Sequence, residues 1–206
     1  MINNPLEYIV KKYALDLTKN SPIYINEDRD GLALLFKEID YITGAEIGVY
    51  SGLFSETLCK TIPNLELFCV DPWKKYEGYN DVRGEQERYD RIYEQAKKRL
   101  APFKCHLIKR FSVDASKVIP DGSLDFVYID GNHDYEHCVE DIAAWIKKVK
   151  IGGIISGHDF RHINSEVLRI HVLEAITAWT NAYQIAPWFI LDKDKKAPSW
   201  IWVKTK

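Results

Sequence analysis

The stretch Ser123–Ile142, SLDFVYIDGNHDYEHCVEDI, joins an apolar run to a helical stripe, and its reading decides the fold. Leu124–Ile129 is almost continuously apolar, as in strands covered on both faces. Asp130-Gly131-Asn132 ends the run. Tyr135, Cys138, Val139, Ile142 and Ile146 then recur at helical spacing and predict a helix with one buried face.

The same alternation extends outward. Upstream, Ala45–Val49 predicts a strand that ends in a turn at Gly52, with Phe54, Leu58 and Ile62 on the helix after it. Leu65–Val70 is a second strand, closed by Asp71-Pro72. A charged helix follows near Glu85–Leu100, and His106–Ile108 lies in a third strand. Downstream, Gly152-Gly153 opens a further strand at Ile154–Ser156, followed by a helix near Glu166–Thr180. Two last strands, Gln184–Leu191 and Ser199–Lys204, are joined only by DKDKKAP, which forces them antiparallel because a parallel crossover needs about a dozen residues. The expected fold is α/β: a doubly wound, mostly parallel seven-stranded sheet with a C-terminal antiparallel hairpin.

At the amino end, Asn4, Pro5 and Glu7 form a capping-box pattern. Leu6, Ile9, Val10, Tyr13 and Leu17 mark the buried face of the helix they start, and a second helix is expected over Asp30–Ile39. The 206 residues suit a single domain, 1–206, with residues 1–41 as a helical extension and 42–206 as the ligand-binding core. The extension is expected to serve as a cap or as the surface of a homodimer.

Composition narrows the function. A net charge of −2 gives no general attraction to nucleic acid or anionic membrane, so neither is an expected partner. The polar start lacks a secretory pattern, and no window approaches the roughly 18 apolar residues of a spanning helix. Cys59, Cys69, Cys105 and Cys138 lack CxxC-type spacing, so reduced thiols and a cytoplasmic location are expected.

Ligands of such sheets bind beyond the carboxyl ends of the strands. The first strand of the alternation ends in Glu46-Ile47-Gly48-Val49-Tyr50-Ser51-Gly52. Its glycines either let backbone approach a ligand or simply make a tight turn. Tyr50 stands where the dinucleotide motif has its middle glycine, which argues against a pyrophosphate. Asp71 ends the next strand and can accept both hydroxyls of a ribose, or can cap a turn. Together the two features point to a nucleoside site.

The runs GAEIGVYSGLFSETL, LELFCVDPW, SLDFVYIDGNHDYEHCVEDI and KIGGIISGHDF resemble the class I S-adenosylmethionine-dependent methyltransferases with a Rossmann-like fold. Within them the chain is similar to the small-molecule O-methyltransferases of the catechol, macrocin and cephalosporin type. The resemblance implies that Glu46, Gly48 and Gly52, with Val49 and Tyr50 in the same turn, shape the pocket for the methionine part of the cofactor. It implies that Asp71 holds the ribose, that Phe111 and Ser112 contact the adenine, and that Asp130 faces the amino end and the methyl.

It also implies metal ligands at Asp130, His158 and Asp159, although His158 and Asp159 could equally cap the following loop. Oxygen ligands suit Mg²⁺, and the imidazole moves the preference toward Mn²⁺. His133, three residues after Asp130, either takes the acceptor's proton as a catalytic base beside Asp130 or only holds the turn. His137 and His162 are expected at the surface.

The aromatic stretch Trp73–Asp81 either walls the acceptor through Trp73, Tyr76 and Tyr79 or pins its aromatics to the core. The expected activity is O-methylation of a small-molecule or glycan hydroxyl, assisted by a divalent metal. The alternatives are a nicotinamide-dependent oxidoreductase, against which the missing G-x-G-x-x-G argues, and a non-catalytic nucleoside-binding module.

Overall fold

The computed structural model describes residues 4–76 and 84–206. Helix α1 (Pro5–Lys12) starts as its caps dictate: Asn4 Oδ1 accepts the Glu7 N–H at 3.2 Å. Strand β1 (Ile23–Ile25) and helix α2 (Arg29–Glu38) follow, the latter capped by Asp28. The alternating part runs β2 (Thr43–Ile47), α3 (Leu53–Thr61), β3 (Glu66–Val70), α4 (Gln86–Leu100), β4 (Cys105–Ile108), α5 (Ser112–Ser116), β5 (Leu124–Ile129), α6 (Tyr135–Trp145) and β6 (Val149–Gly157). A small hairpin of β7 (Ile163–Asn164) and β8 (Arg169–Ile170), helix α7 (Val172–Ala182), and strands β9 (Phe189–Leu191) and β10 (Ser199–Val203) complete the chain.

The main sheet has the order β1-β9-β10-β6-β5-β2-β3-β4. Strands β2 to β6 pair in parallel, and β10 is antiparallel to both β6 and β9, as the short DKDKKAP link requires. The sheet has one strand more than the seven expected. Ile23–Ile25 joins the edge parallel to β9, pairing Ile23 with Phe189. Three residues are too few to show periodicity, and their partner is far away in sequence.

Other local expectations also change: helix α5 was not expected, and β9 starts at Phe189 rather than Gln184. Residues from Ile163 to Ile170 form the β7–β8 hairpin, and α7 starts at Val172 rather than near Glu166. Ser165 closes that turn, its hydroxyl accepting the Leu168 N–H and donating to the Leu168 carbonyl, both at 3.0 Å. Strand β6 begins at Val149 and passes through Gly152 and Gly153 with a register shift against β5 between Leu124 and Phe126.

Strand side chains alternate between two apolar layers. Phe126 and Tyr128 join the layer of α1 to α4, with Leu32, Phe36 and Leu58. Val127 and Ile129 join the layer of α5 to α7, with Ile142, Trp145 and Ile176. Each such side chain stabilises the fold by about 1.5–3 kcal/mol relative to exposure. All strand ends that matter for chemistry thereby sit on one edge of a rigid sheet. Among the described residues no helix is long and apolar enough to cross a membrane.

Candidate active site

The turn after β2 is shaped by close backbone approach. Gly48 has φ +89°, and a Cβ there would lie 1.8 Å from the Asp130 carbonyl oxygen at the end of β5. Tyr50 (φ 52°), Trp73 (φ 40°) and Asp159 (φ 53°) bring three more left-handed backbones to this edge. Such strain persists where the surroundings over-determine it, commonly at functional sites.

Here Asp71 is the determinant. Its Oδ2 accepts the Tyr50 N–H at 2.8 Å and its Oδ1 the Trp73 N–H at 2.7 Å. Burial pushes the Asp71 carboxyl above its ordinary value, against those two hydrogen bonds. The Trp73 indole N–H returns to the Tyr50 carbonyl at 2.8 Å.

A cleft of about 270 Å³ opens above these turns, lined among the expected residues by Gly48, Tyr50, Asp71, Trp73, Tyr76, Phe111 and Ser112. Tyr76 meets Phe111 edge to face at 5.2 Å, closing one side. Trp73 is 1% exposed and packs on Tyr93 at 4.8 Å, so it is pinned to the core while lining the cleft. Tyr79 lies outside the described residues.

Glu46, Val49, Gly52 and Asp130 are not among the cleft-lining residues. Glu46 is buried and accepts a hydrogen bond from the Ser55 hydroxyl of α3, and burial pushes its carboxyl up to about 8. Val49 is in the core, and Gly52 begins α3 in the left-handed conformation.

Helix α6 adds two groups that sequence reasoning missed. His137, expected at the surface, lines the cleft, and its buried Nδ1 has no hydrogen-bond partner among the described residues. Asp141, one turn on, also lines it, and burial raises its carboxyl to about 7 against a Ser112 hydrogen bond. Their i, i+4 spacing was a readable sign that they share a helix face. Ser112 is itself held by the Trp145 indole N–H at 2.8 Å. His162 is at the surface as expected, paired with Glu174.

Beyond the cleft, the ends of β5 and β6 bring four groups together. His133 Nε2 lies 3.2 Å from Asp130 Oδ1 and 3.5 Å from Asp159 Oδ2. His158 Nδ1 lies 3.6 Å and 3.7 Å from the same two atoms. Burial alone would raise Asp130, but the hydrogen bonds of His133 and His158 outweigh it and hold the carboxyl well below the usual range. Burial opposes charge on His158 too, yet the two carboxylates raise it to about 9.

One ligand atom each from Asp130, His133 and Asp159 falls within 4.8 Å of the others. This compact set contains His133, where the sequence reading had His158. Two carboxylates and one imidazole are a donor set that fits a small divalent ion of the Mn²⁺ type better than Mg²⁺.

Residues 45–160 match the family model of a methyltransferase domain, and the chain belongs to that family. The match spans the runs on which the resemblance rested. The uncharacterized protein y4gI of Sinorhizobium fredii is 24% identical over 126 residues, covering 55% of this chain and 12% of that protein. The chain thus spans only a small part of that relative's length.

Among solved structures, an O-methyltransferase from Bacillus cereus in complex with SAH is 14% identical with a TM-score of 0.62, covering 97% of this chain and 90% of that one. The N-methyltransferase NodS from Bradyrhizobium japonicum is 14% identical with a TM-score of 0.55, covering 86% and 95%. These likenesses show the fold, which serves oxygen and nitrogen acceptors alike.

Proposed function

We propose that the protein transfers a methyl group from S-adenosylmethionine to a hydroxyl of a small molecule or sugar. The observation that carries this reading is Asp71, a carboxylate anchored by two backbone N–H groups at the floor of a cleft that ends beside the Asp130–His133 pair. Asp71 would take the ribose hydroxyls through its remaining lone pairs. Gly48 lets backbone close on the methionine part, and Phe111 and Ser112 flank the adenine.

S-adenosylmethionine supplies an activated sulfonium methyl, so the chain's main task is alignment, which can be worth roughly 7–11 kcal/mol. In the step, the acceptor oxygen forms a bond to the methyl carbon while the carbon–sulfur bond breaks and its electron pair stays on sulfur. His133 receives the hydroxyl proton, oriented by Asp130 at 3.2 Å. A divalent ion held by Asp130, His133 and Asp159, with His158 beside them, would instead lower the hydroxyl's pKa as a Lewis acid.

Calorimetric titration with S-adenosylmethionine and S-adenosylhomocysteine, with and without Mn²⁺ or Mg²⁺, tests the reading. Micromolar binding that Asp71→Ala abolishes supports it. Absence of binding under every metal condition sinks it.

A further inference from the structure

A second cavity, of about 470 Å³, opens on the same edge of the sheet and is lined by His158, whose Nδ1 lies 3.6 Å from Asp130 Oδ1. Arg29, Phe54, His158, Leu191 and Ser199 line it. Each adjoins a strand end at this edge: Arg29 follows β1, Phe54 follows β2, His158 follows β6, Leu191 ends β9 and Ser199 starts β10.

Arg29 is half-buried, with its guanidinium carbon 5.3 Å over the Phe54 ring. Among the described residues it makes no ion pair within 4 Å, and buried Glu46 is a carboxyl that feels its charge. Of the acids around it, Asp28 and Glu56 are engaged by other cations. Asp28 pairs with Lys193 at 2.9 Å and caps α2. Glu56 pairs with Lys60 at 2.9 Å and Arg99 at 3.5 Å. Asp194 accepts the Lys196 N–H at 3.0 Å, and Asp30 is exposed. A partly desolvated guanidinium is costly unless an anion meets it, and its planar fork matches a carboxylate in two parallel hydrogen bonds.

We infer that this cavity receives the methyl acceptor and that Arg29 binds a carboxylate on that molecule. The inference rests on the methyltransferase reading and adds the acceptor's chemical class, a hydroxy acid. A single negative charge suits the cavity, because one guanidinium can balance it and His158, its other basic lining group, already faces Asp130 and Asp159. A phosphate dianion would leave one charge uncompensated among Asp28, Asp30 and Glu56. Phe54, Leu53 and Leu191 offer an apolar wall to the acceptor's body, while His158 marks the end where the hydroxyl meets the reacting groups.

The test uses the full chain saturated with S-adenosylhomocysteine, titrated without added metal. The probe is 3,4-dihydroxybenzoate, its neutral twin is 3,4-dihydroxybenzamide, and phenyl phosphate is the dianion control. The benzoate should bind at least about tenfold more tightly than the benzamide, the worth of one charge-assisted pair. Arg29→Gln should erase that preference, and Arg29→Lys should retain part of it, with S-adenosylhomocysteine affinity unchanged in both as the check on folding.

Equal binding of the twins, tighter binding of phenyl phosphate, or no binding of any probe overturns the inference. A guanidinium that served only to pack on Phe54 would leave the twins equal. Failure of S-adenosylhomocysteine itself to bind strikes the methyltransferase reading instead, so the two failures are distinct.

Discussion

Asp71 and Tyr50 are joined by a backbone N–H donated to Oδ2 at 2.8 Å, which ties the end of β3 to the strained turn after β2. The carboxylate that offers itself to a ribose therefore also builds the floor beneath it. Replacing it removes a ligand contact and a structural tie together. Asp71→Ala should abolish S-adenosylhomocysteine binding in calorimetry and lower stability by about 1–3 kcal/mol, since two backbone donors lose their partner. Asp71→Asn keeps an acceptor oxygen and should show the smaller stability loss in urea melts.

Gly48→Ala should be severe. Its Cβ would fall 1.8 Å from the Asp130 carbonyl oxygen, at a φ of +89°. Separation of β2 from β5 plus backbone strain predicts a loss of about 3 kcal/mol or more. Gly122→Ala is the control, with φ +68° and nothing within 4 Å of its Cβ. It should cost only about 1–2 kcal/mol in the same urea titration.

Glu46 makes stability depend on pH. Its carboxyl is raised by burial from 4.5 to about 8, so the folded chain keeps a proton that the unfolded chain releases. Stability from this group is whole below the unfolded value and falls as pH rises from 4.5 to about 8. Glu46→Gln removes the titration while preserving shape. Thermal unfolding should place the variant level with the parent at pH about 4.5 and roughly 1–3 kcal/mol above it beyond pH about 8. Equal behaviour across the range would mean that Glu46 is charged in the fold.

His133→Gln separates chemistry from binding. Its partners, Asp130 and Asp159, lie beyond the cleft that would hold the cofactor. Affinity for S-adenosylhomocysteine should stay within about twofold of the parent, while methyl transfer to a hydroxyl falls about 10²–10⁴-fold, the usual worth of a positioned base. A loss confined to KM would assign His133 to acceptor binding alone.

Apart from the short α5, the order of strands and helices from Thr43 to Trp145 was legible because it rests on local periodicity: Leu124–Ile129 is the strand its apolar run implies, and α6 buries the stripe of Cys138 and Ile142. The α1 cap and the antiparallel β9–β10 pair were legible for the same reason, since side-chain caps and short links act within a few residues. Gly48 and Asp71 could be placed because strand ends share one edge, and Phe111 and Ser112 only through the family resemblance; all four line the cleft.

Only the folded chain decided what depends on contacts distant in sequence. Ile23–Ile25 becomes a strand because β9 presents an open edge to it. Trp73 turns inward because Tyr50 accepts its indole N–H. His137 faces the cleft rather than solvent because α6 packs with that side toward α5. Arg29 reaches the cavity beside His158 because β1 delivers α2 to the carboxyl edge of the sheet. Periodicity fixes which face of an element is apolar, whereas the neighbour that face or edge meets is set by packing across the whole sheet.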